Sequence, residues 1–227
     1  EIDQVSIFEK VSKATFRPTS ASQYPQVISH AFRISTTGRP GPVYIDCNED
    51  VLYEKINEKD TSIATRSKES SGPSGDTDLI KKTINLLSKS NSPIIFAGGG
   101  TFWSDASREL KEFIDISGIP FYTTPMSRGV VSDKHEYSFP AARSSAFRET
   151  DLVIVLGTRF NWIMTYGNRI NPEAKIIQVD ILEEEIAHNR NVSLGIVGDC
   201  KKVINQLINE FNNQNLKSDK WESWRQN

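Results

Sequence analysis

From residue 76 onward, apolar positions at helical spacing alternate with short unbroken apolar runs. This is the pattern of helices that bury one stripe and of strands buried on both faces. Asp76 and Thr77 stand where an N-cap belongs, and Leu79, Ile80, Ile84 and Leu87 then mark the inner face of a helix to about Ser88. The spacing predicts a strand over Pro93–Ala97, the glycine turn Gly98-Gly-Gly100, and a helix over Asp105–Ser117 with Leu110, Phe113 and Ile114 inward. A strand over Ile119–Thr123, a polar loop through His135 and a short helix near Ala141–Phe147 follow. Strands over Leu152–Leu156 and Lys175–Val179, a helical turn around Glu183–His188, a short strand over Leu194–Val197 and a helix from Asp199 to about Phe211 complete the run. Strands separated by helix-length connections predict an α/β fold, a doubly wound parallel sheet over residues 78–212.

The first quarter of the chain is different. Ala21, Tyr24, Val27, Ile28, Ala31 and Phe32 give a helix over Ser20–Thr36, Gly38-Arg-Pro-Gly-Pro42 breaks it, and Val43–Asp46 reads as a strand. One helix and one strand cannot enclose a core, so residues 1–52 must dock onto the rest of this chain or onto a preceding part. From Tyr53 to about Thr77 the residues turn to Lys, Glu, Asp, Ser, Thr and Gly, ending in Ser70-Ser-Gly-Pro-Ser-Gly75. That is a linker by composition. Residues 213–227 read as the start of a further linker, and the absence of an initial Met reads as a piece cut from something longer.

Composition narrows the functions. The chain has 227 residues, a formal net charge of −2 and 37% hydrophobic residues, enough for a sizeable core. No apolar run is long enough to cross a bilayer, which argues against a membrane partner. Lys and Arg are scattered with no basic stripe, which argues against nucleic acid. Cys47 and Cys200 are too few and too far apart for a disulfide framework or a zinc site, favouring a reducing compartment. His30, His135 and His188 lack ligand spacing, so no metal site is expected.

Candidate chemistry sits at the strand ends. Arg159 follows Gly157 just past one buried strand, and Asp180 stands at the tip of the next. Ligands of open α/β sheets bind outside the carboxyl ends of the strands, so this pair suits a nucleotide, phosphate on Arg159 and ribose hydroxyls on Asp180. The alternative is a surface ion pair at a sheet edge. Gly98 and Gly100 permit close backbone approach to a phosphate, but Trp103 replaces the third glycine of a dinucleotide fingerprint and no acidic residue ends the next strand. An ordinary NAD dehydrogenase is therefore disfavoured; the alternative for the glycines is that they merely turn a tight strand-to-helix corner. With no nucleophile elbow and no Walker loop, the residues describe a nucleotide-binding domain without visible catalytic machinery.

Several motifs carry a resemblance. Phe121-Tyr-Thr-Thr-Pro-Met-Ser-Arg-Gly-Val-Val-Ser-Asp-Lys-His135, Ala141-Ala-Arg-Ser-Ser145, Gly157-Thr-Arg-Phe-Asn-Trp162, Ile177-Gln-Val-Asp-Ile181 and Val197-Gly-Asp199 closely resemble the central domain of thiamine-diphosphate enzymes. The Gly-x-Arg-x-Asn-Trp element is similar to the branch of 2-hydroxyacyl-CoA lyase and oxalyl-CoA decarboxylase. Gly38-Arg-Pro-Gly-Pro-Val-Tyr-Ile-Asp46 resembles the end of the pyrimidine-binding domain of the same enzymes. The resemblance implies a parent that forms the thiamine ylide and adds it to the carbon beside a thioester. The parent then cleaves that carbon–carbon bond or expels carbon dioxide, leaving formyl-CoA. It also implies that the glutamate activating thiamine lies upstream of residue 1. The site for magnesium and diphosphate would lie downstream of residue 227, leaving this piece inactive alone. Implied partners are an acyl-CoA substrate and a homodimeric or homotetrameric assembly, in the cytoplasm or peroxisome.

The same resemblance places an ADP or CoA-nucleotide site on Arg39, Arg159, Asp180 with Ile181, and Asp199-Cys200. Arg143 is similar to a residue holding CoA phosphates, with a helix-end cation as the alternative. Asn161 and Trp162 are expected to be structural, Trp162 as a buried ring. Met126 is placed on the acyl-CoA side or in the core. Gly99 stands where the family often carries Lys, removing one phosphate contact, and Arg128 stands where Lys is usual. Other classes remain: a central domain holding FAD, as in acetohydroxyacid synthase, or a module without catalysis. A same-fold NAD-consuming deacylase is disfavoured by the lack of its histidine loop and paired-cysteine zinc site.

Overall fold

The computed structural model describes residues 2–57, 59 and 72–226, and the chain divides into two compact units between Ser71 and Gly72. Within the 53–77 stretch read as a linker, residues 58 and 60–71 lie outside the described residues.

The first unit contains α1 (Gln4–Glu9), β1 (Ala14–Phe16), α2 (Tyr24–Thr36), β2 (Val43–Ile45) and α3 (Glu49–Leu52). β1, which has no periodic signal in the sequence, pairs in parallel with β2, Ala14 opposite Val43 and Phe16 opposite Ile45. Lys13 Nζ donates to the carbonyls of Ile34, Thr37 and Arg39 at 2.7, 2.6 and 2.9 Å, satisfying the end of α2 with a cation. The inward face expected of α2 is only partly so. Ala31 is buried, but Phe32 is 70% exposed and Ile28 43%.

The second unit runs α4 (Thr77–Lys89), β3 (Pro93–Ala97), α5 (Gly99–Trp103), α6 (Ser107–Ser117), β4 (Phe121–Thr123), α7 (Arg143–Glu149), β5 (Leu152–Leu156), β6 (Lys175–Asp180), β7 (Leu194–Val197), α8 (Cys200–Asn213) and α9 (Glu222–Gln226). All strand pairs are parallel, in the order β4-β3-β5-β6-β7. Alternation along each strand feeds two cores. Ile95, Ala97, Ile154 and Ile177 face α4, α6 and α8, whereas Ile94, Phe96, Val153 and Val155 face α7 and the segment after β5. This is the expected doubly wound α/β fold. The order reverses at β3, whose neighbours are β4 and β5, so the crevice that such sheets use for ligands opens between the carboxyl ends of β3 and β5.

The capping reading at Asp76 holds: its carboxylate accepts from the amides of Asp78 and Leu79 at 2.9 Å. α6 starts two residues later than expected because Asp105 has φ 53° and cannot be helical. Both margins of the unit extend the sequence reading. At the front, Pro73 O accepts from Asp199 N at 2.8 Å and Gly75 exchanges two hydrogen bonds with the Gln206 side chain, so residues 72–76 belong to the unit. At the back, residues 218–226 do not trail away as a linker. Trp221 is fully buried and donates to Ser90 O at 3.0 Å, and Trp224 donates to Pro93 O at 3.1 Å.

Candidate functional site

Three loops converge at the reversal point. Gly98 N donates to Leu156 O at 2.8 Å and Gly100 N to Gly157 O at 2.9 Å, so the turn after β3 is bonded to the turn after β5. A Cβ on Gly100 would stand 2.6 Å from Gly157 Cα, and one on Gly157, at φ +62°, 2.5 Å from Gly100 Cα. The two turns touch backbone to backbone, which glycine alone allows. Loop packing therefore requires Gly98 and Gly100 whatever sits outside them, and it engages both of their amides. Gly99 lies under Met126, whose Cγ would be 2.8 Å from an added Cβ. Met126 itself is 59% exposed, not a core residue.

Beneath the two turns lies Cys200, 4% exposed, its sulfur 2.8 Å from the position of a Cβ on Gly157. Burial pushes its thiol well above the ordinary range, and the carboxylates of Asp199 and Asp180 push the same way. The thiol is a packing group at neutral pH, not a thiolate nucleophile. Asp199 caps α8 by accepting from Lys202 N at 3.1 Å. Asp180, 8% exposed, accepts from Leu182 N at 3.1 Å while its carbonyl takes Gly198 N at 2.8 Å. These bonds hold Ile181 half-buried at the tip of β6. The structure thus gathers Gly98, Gly100, Asp180, Asp199 and Cys200 at one edge of the sheet.

Arg159 extends from the same edge and meets Glu185, Nη1 to Oε1 at 3.4 Å. Glu185 is 7% exposed and its backbone carbonyl accepts from buried Gln178 Nε2 at 2.9 Å. Neither Glu185 nor Gln178 stands out in the sequence; the only signal is the Glu183-Glu184-Glu185 run, which reads as a solvated turn.

Arg143 sits elsewhere, at the start of α7. Its guanidinium lies over the rings of Phe96 and Phe147, 5.5 and 5.4 Å from their centroids, and Nη2 reaches Met164 Sδ at 3.7 Å. Burial lowers its pKa, and the like charge of Arg169 adds to the effect. Arg39 belongs to the first unit, in the exposed turn after α2. Asn161 is a local cap, its side chain accepting from Ile163 N at 3.1 Å. The expectation of a buried Trp162 is corrected: the ring is 73% exposed, because the chain turns outward immediately after Phe160. Arg128 pairs with Asp133 at 2.9 Å on the surface. Among the described residues no group of three or more His, Cys, Asp or Glu could hold a metal ion.

Residues 80–207 match the thiamine pyrophosphate enzyme central-domain family. The chain is 36% identical over 231 aligned residues to a 2-hydroxyacyl-CoA lyase of Arabidopsis thaliana, covering 99% of this chain and 40% of that protein. It is 34% identical to the oxalyl-CoA decarboxylase of Escherichia coli, covering 93% of this chain and 38% of the relative. The same identity, over 93% of this chain and 37% of the relative, holds for a probable acetolactate synthase large subunit of Methanococcus aeolicus. The chain spans about two fifths of the length of these relatives. With a doubly wound sheet of the right kind and a match over more than half its length, the chain belongs to the thiamine pyrophosphate enzyme family, its second unit corresponding to the central domain.

Proposed function

We propose that this chain is the nucleotide-holding middle part of a thiamine-diphosphate-dependent carbon–carbon lyase acting on CoA thioesters, which cleaves 2-hydroxyacyl-CoA or decarboxylates oxalyl-CoA to formyl-CoA. The observation that carries the reading is the convergence of Arg159, Asp180 and Ile181 on the carboxyl edge beside the sheet's reversal point. The names of the relatives supply the substrate class. Thiamine diphosphate would provide the carbanion chemistry when bound, held by residues outside those described here. This chain's residues bind and orient. Asp180 accepts from ribose hydroxyls, Ile181 flanks the adenine, and Arg159 turns from Glu185 to a phosphate. Arg143, on the α7 face, holds a CoA phosphate. The domain plan read from the sequence, pyrimidine-domain remnant, linker and ADP- or CoA-holding domain, is part of the same proposal, as are an assembled homodimer or homotetramer and a cytoplasmic or peroxisomal site.

The acetolactate synthase relative supports a second reading, an FAD-holding central domain, and ligand choice separates the two. Thermal unfolding at millimolar ligand should show ADP or CoA raising the midpoint, with NAD and FAD doing little. A ligand at a hundred times its dissociation constant adds about 2.7 kcal/mol, several degrees for a chain of this size. A clear FAD shift with none from ADP or CoA overturns the proposal and favours the second reading.

A further inference from the structure

Between α7 and the chain that follows β5 lies a cavity of about 580 Å³. Phe147, Ile163, Met164 and Ile170 give it apolar walls, and three guanidinium side chains, Arg143, Arg148 and Arg169, line it. Among the described residues no carboxylate stands within ion-pair distance of any of the three. Arg143 is half-buried and fixed flat on two rings, and Arg169 is close enough to repel it. Arg148 and Arg169 are exposed, so the repulsion falls chiefly on half-buried Arg143, and a bound anion reverses the sign of that interaction.

The wall bearing Arg169 is built at a cost. Thr165, Tyr166 and Gly167 are consecutively left-handed, φ 50°, 54° and 78°. For the β-branched Thr and the bulky Tyr this conformation costs about 1–2 kcal/mol each. The strain is held from both sides. Tyr166 N donates to Asn161 O at 2.8 Å, and Arg190 grips the carbonyls of Gly167, Ile170 and Asn171 at 2.6, 3.2 and 2.9 Å. The result is to return the chain onto α7, where Asn171 N donates to Phe147 O at 2.8 Å, with Arg169 beside Arg143 over the cavity.

We propose that Arg169 is a second phosphate-holding arm of this cavity, which with Arg143 takes the diphosphate of a phosphorylated organic ligand. This rests on the reading of Arg143 as a CoA-phosphate contact and adds the residue that completes the site. A diphosphate matches two guanidiniums in charge and in bidentate geometry, whereas one carboxylate side chain would neutralise only one of them. The remaining volume and the apolar walls accommodate the organic arm.

The test is calorimetric titration of the 227-residue chain with inorganic pyrophosphate and with CoA, in an Arg159→Ala/Asp180→Ala background that disables the strand-end site. Arg169→Gln should weaken both ligands by roughly ten- to a hundredfold, Arg169→Lys should recover part of the loss, and the ligand-free melting midpoint should not fall, since the substitution removes a like charge. If Arg143→Gln weakens CoA and Arg169→Gln does not, the inference about Arg169 is wrong while the reading of Arg143 stands. If neither substitution matters, both fail. If the background chain binds no pyrophosphate, the cavity is not a diphosphate site and the proposal falls.

Discussion

Arg159 is 43% exposed at its side chain and faces Glu185 through Nη1, so on the proposed reading a phosphate competes with Glu185 for it. In the proposed complex the phosphate offers the guanidinium two parallel bonds where Glu185 Oε1 offers one at 3.4 Å. Two predictions follow from this geometry. Asp180→Ala and Arg159→Ala should each cost roughly 1.5–3 kcal/mol of ADP affinity, about ten- to a hundredfold, with little change in folding. Calorimetric titration that finds ADP affinity unchanged in both variants would move the nucleotide away from these strand ends. Glu185→Gln removes the competing charge while keeping the side chain's shape, and should raise ADP affinity a few-fold; a loss of affinity would mean that Glu185 orients Arg159 instead of competing for it. The strand-end positions of Arg159 and Asp180 were legible in the sequence because a buried apolar run fixes where each strand stops. Glu185 was not, since its partner stands 26 residues away and only the turn after β6 brings them together. Trp162 was misread for the same reason: nothing in an Asn-Trp pair after a strand says which way the chain turns.

Among the elements, the five strands of the second unit were legible to within a residue or two, because each reads as a short apolar run, with β3, β5 and nearly all of β6 buried on both faces. The closing segment was not. Ser218-Asp-Lys-Trp-Glu-Ser-Trp-Arg-Gln226 has no apolar run, and only its two Trp rings join the cores. Trp221→Ala should cost roughly 3–5 kcal/mol in denaturant unfolding, from the lost ring and the Ser90 carbonyl left without this donor. An unchanged midpoint would show that the segment is not anchored there. A second tie joins α6 to the loop before α7. Asp115 Oδ1 meets His135 Nε2 at 2.8 Å and its other oxygen meets Lys111 Nζ at 2.5 Å. Burial opposes ionisation of Asp115, but the bonds from Lys111 and His135 outweigh it and hold the carboxyl below its usual 3.8. A depressed folded value means that the stabilisation is full above the ordinary carboxylate range and is lost as pH falls through the folded value. Asp115→Asn should therefore cost under about 1 kcal/mol at neutral pH, discounted for a side chain 40% exposed. The difference from wild type should vanish in acid; a difference that persists below the carboxylate range would point to packing, not charge.

At the scale of the whole chain, the two units are unequal in what they bury. The second unit closes a five-stranded sheet between two cores, with Ile84, Leu87, Phe96 and Phe113 wholly inaccessible. The first has a two-stranded sheet of three-residue strands, and its only buried residues among those described are Pro18, Ala31 and Val51. Ile2, Val11, Phe32 and Tyr53 are 67–78% exposed. Hydrophobic burial scales at about 25 cal/mol per Å², and ordering each residue costs on the order of 1–2 kcal/mol, so a piece of this size with so little interior cannot fold on its own account. Residues 72–227 expressed alone should therefore unfold cooperatively, within a few degrees of the whole chain, and should keep the ADP response. Residues 1–57 alone should show no cooperative transition by circular dichroism. A sharp melt from the short piece would mean that its exposed apolar positions find partners within it, and the reading of a remnant that needs a larger domain to cover it would fall. That reading also makes a catalytic prediction. If the missing cover carries half of the thiamine site, the 227-residue chain given thiamine diphosphate, magnesium and oxalyl-CoA should release no formyl-CoA above a buffer control. Turnover would show that the reacting groups lie within these residues after all.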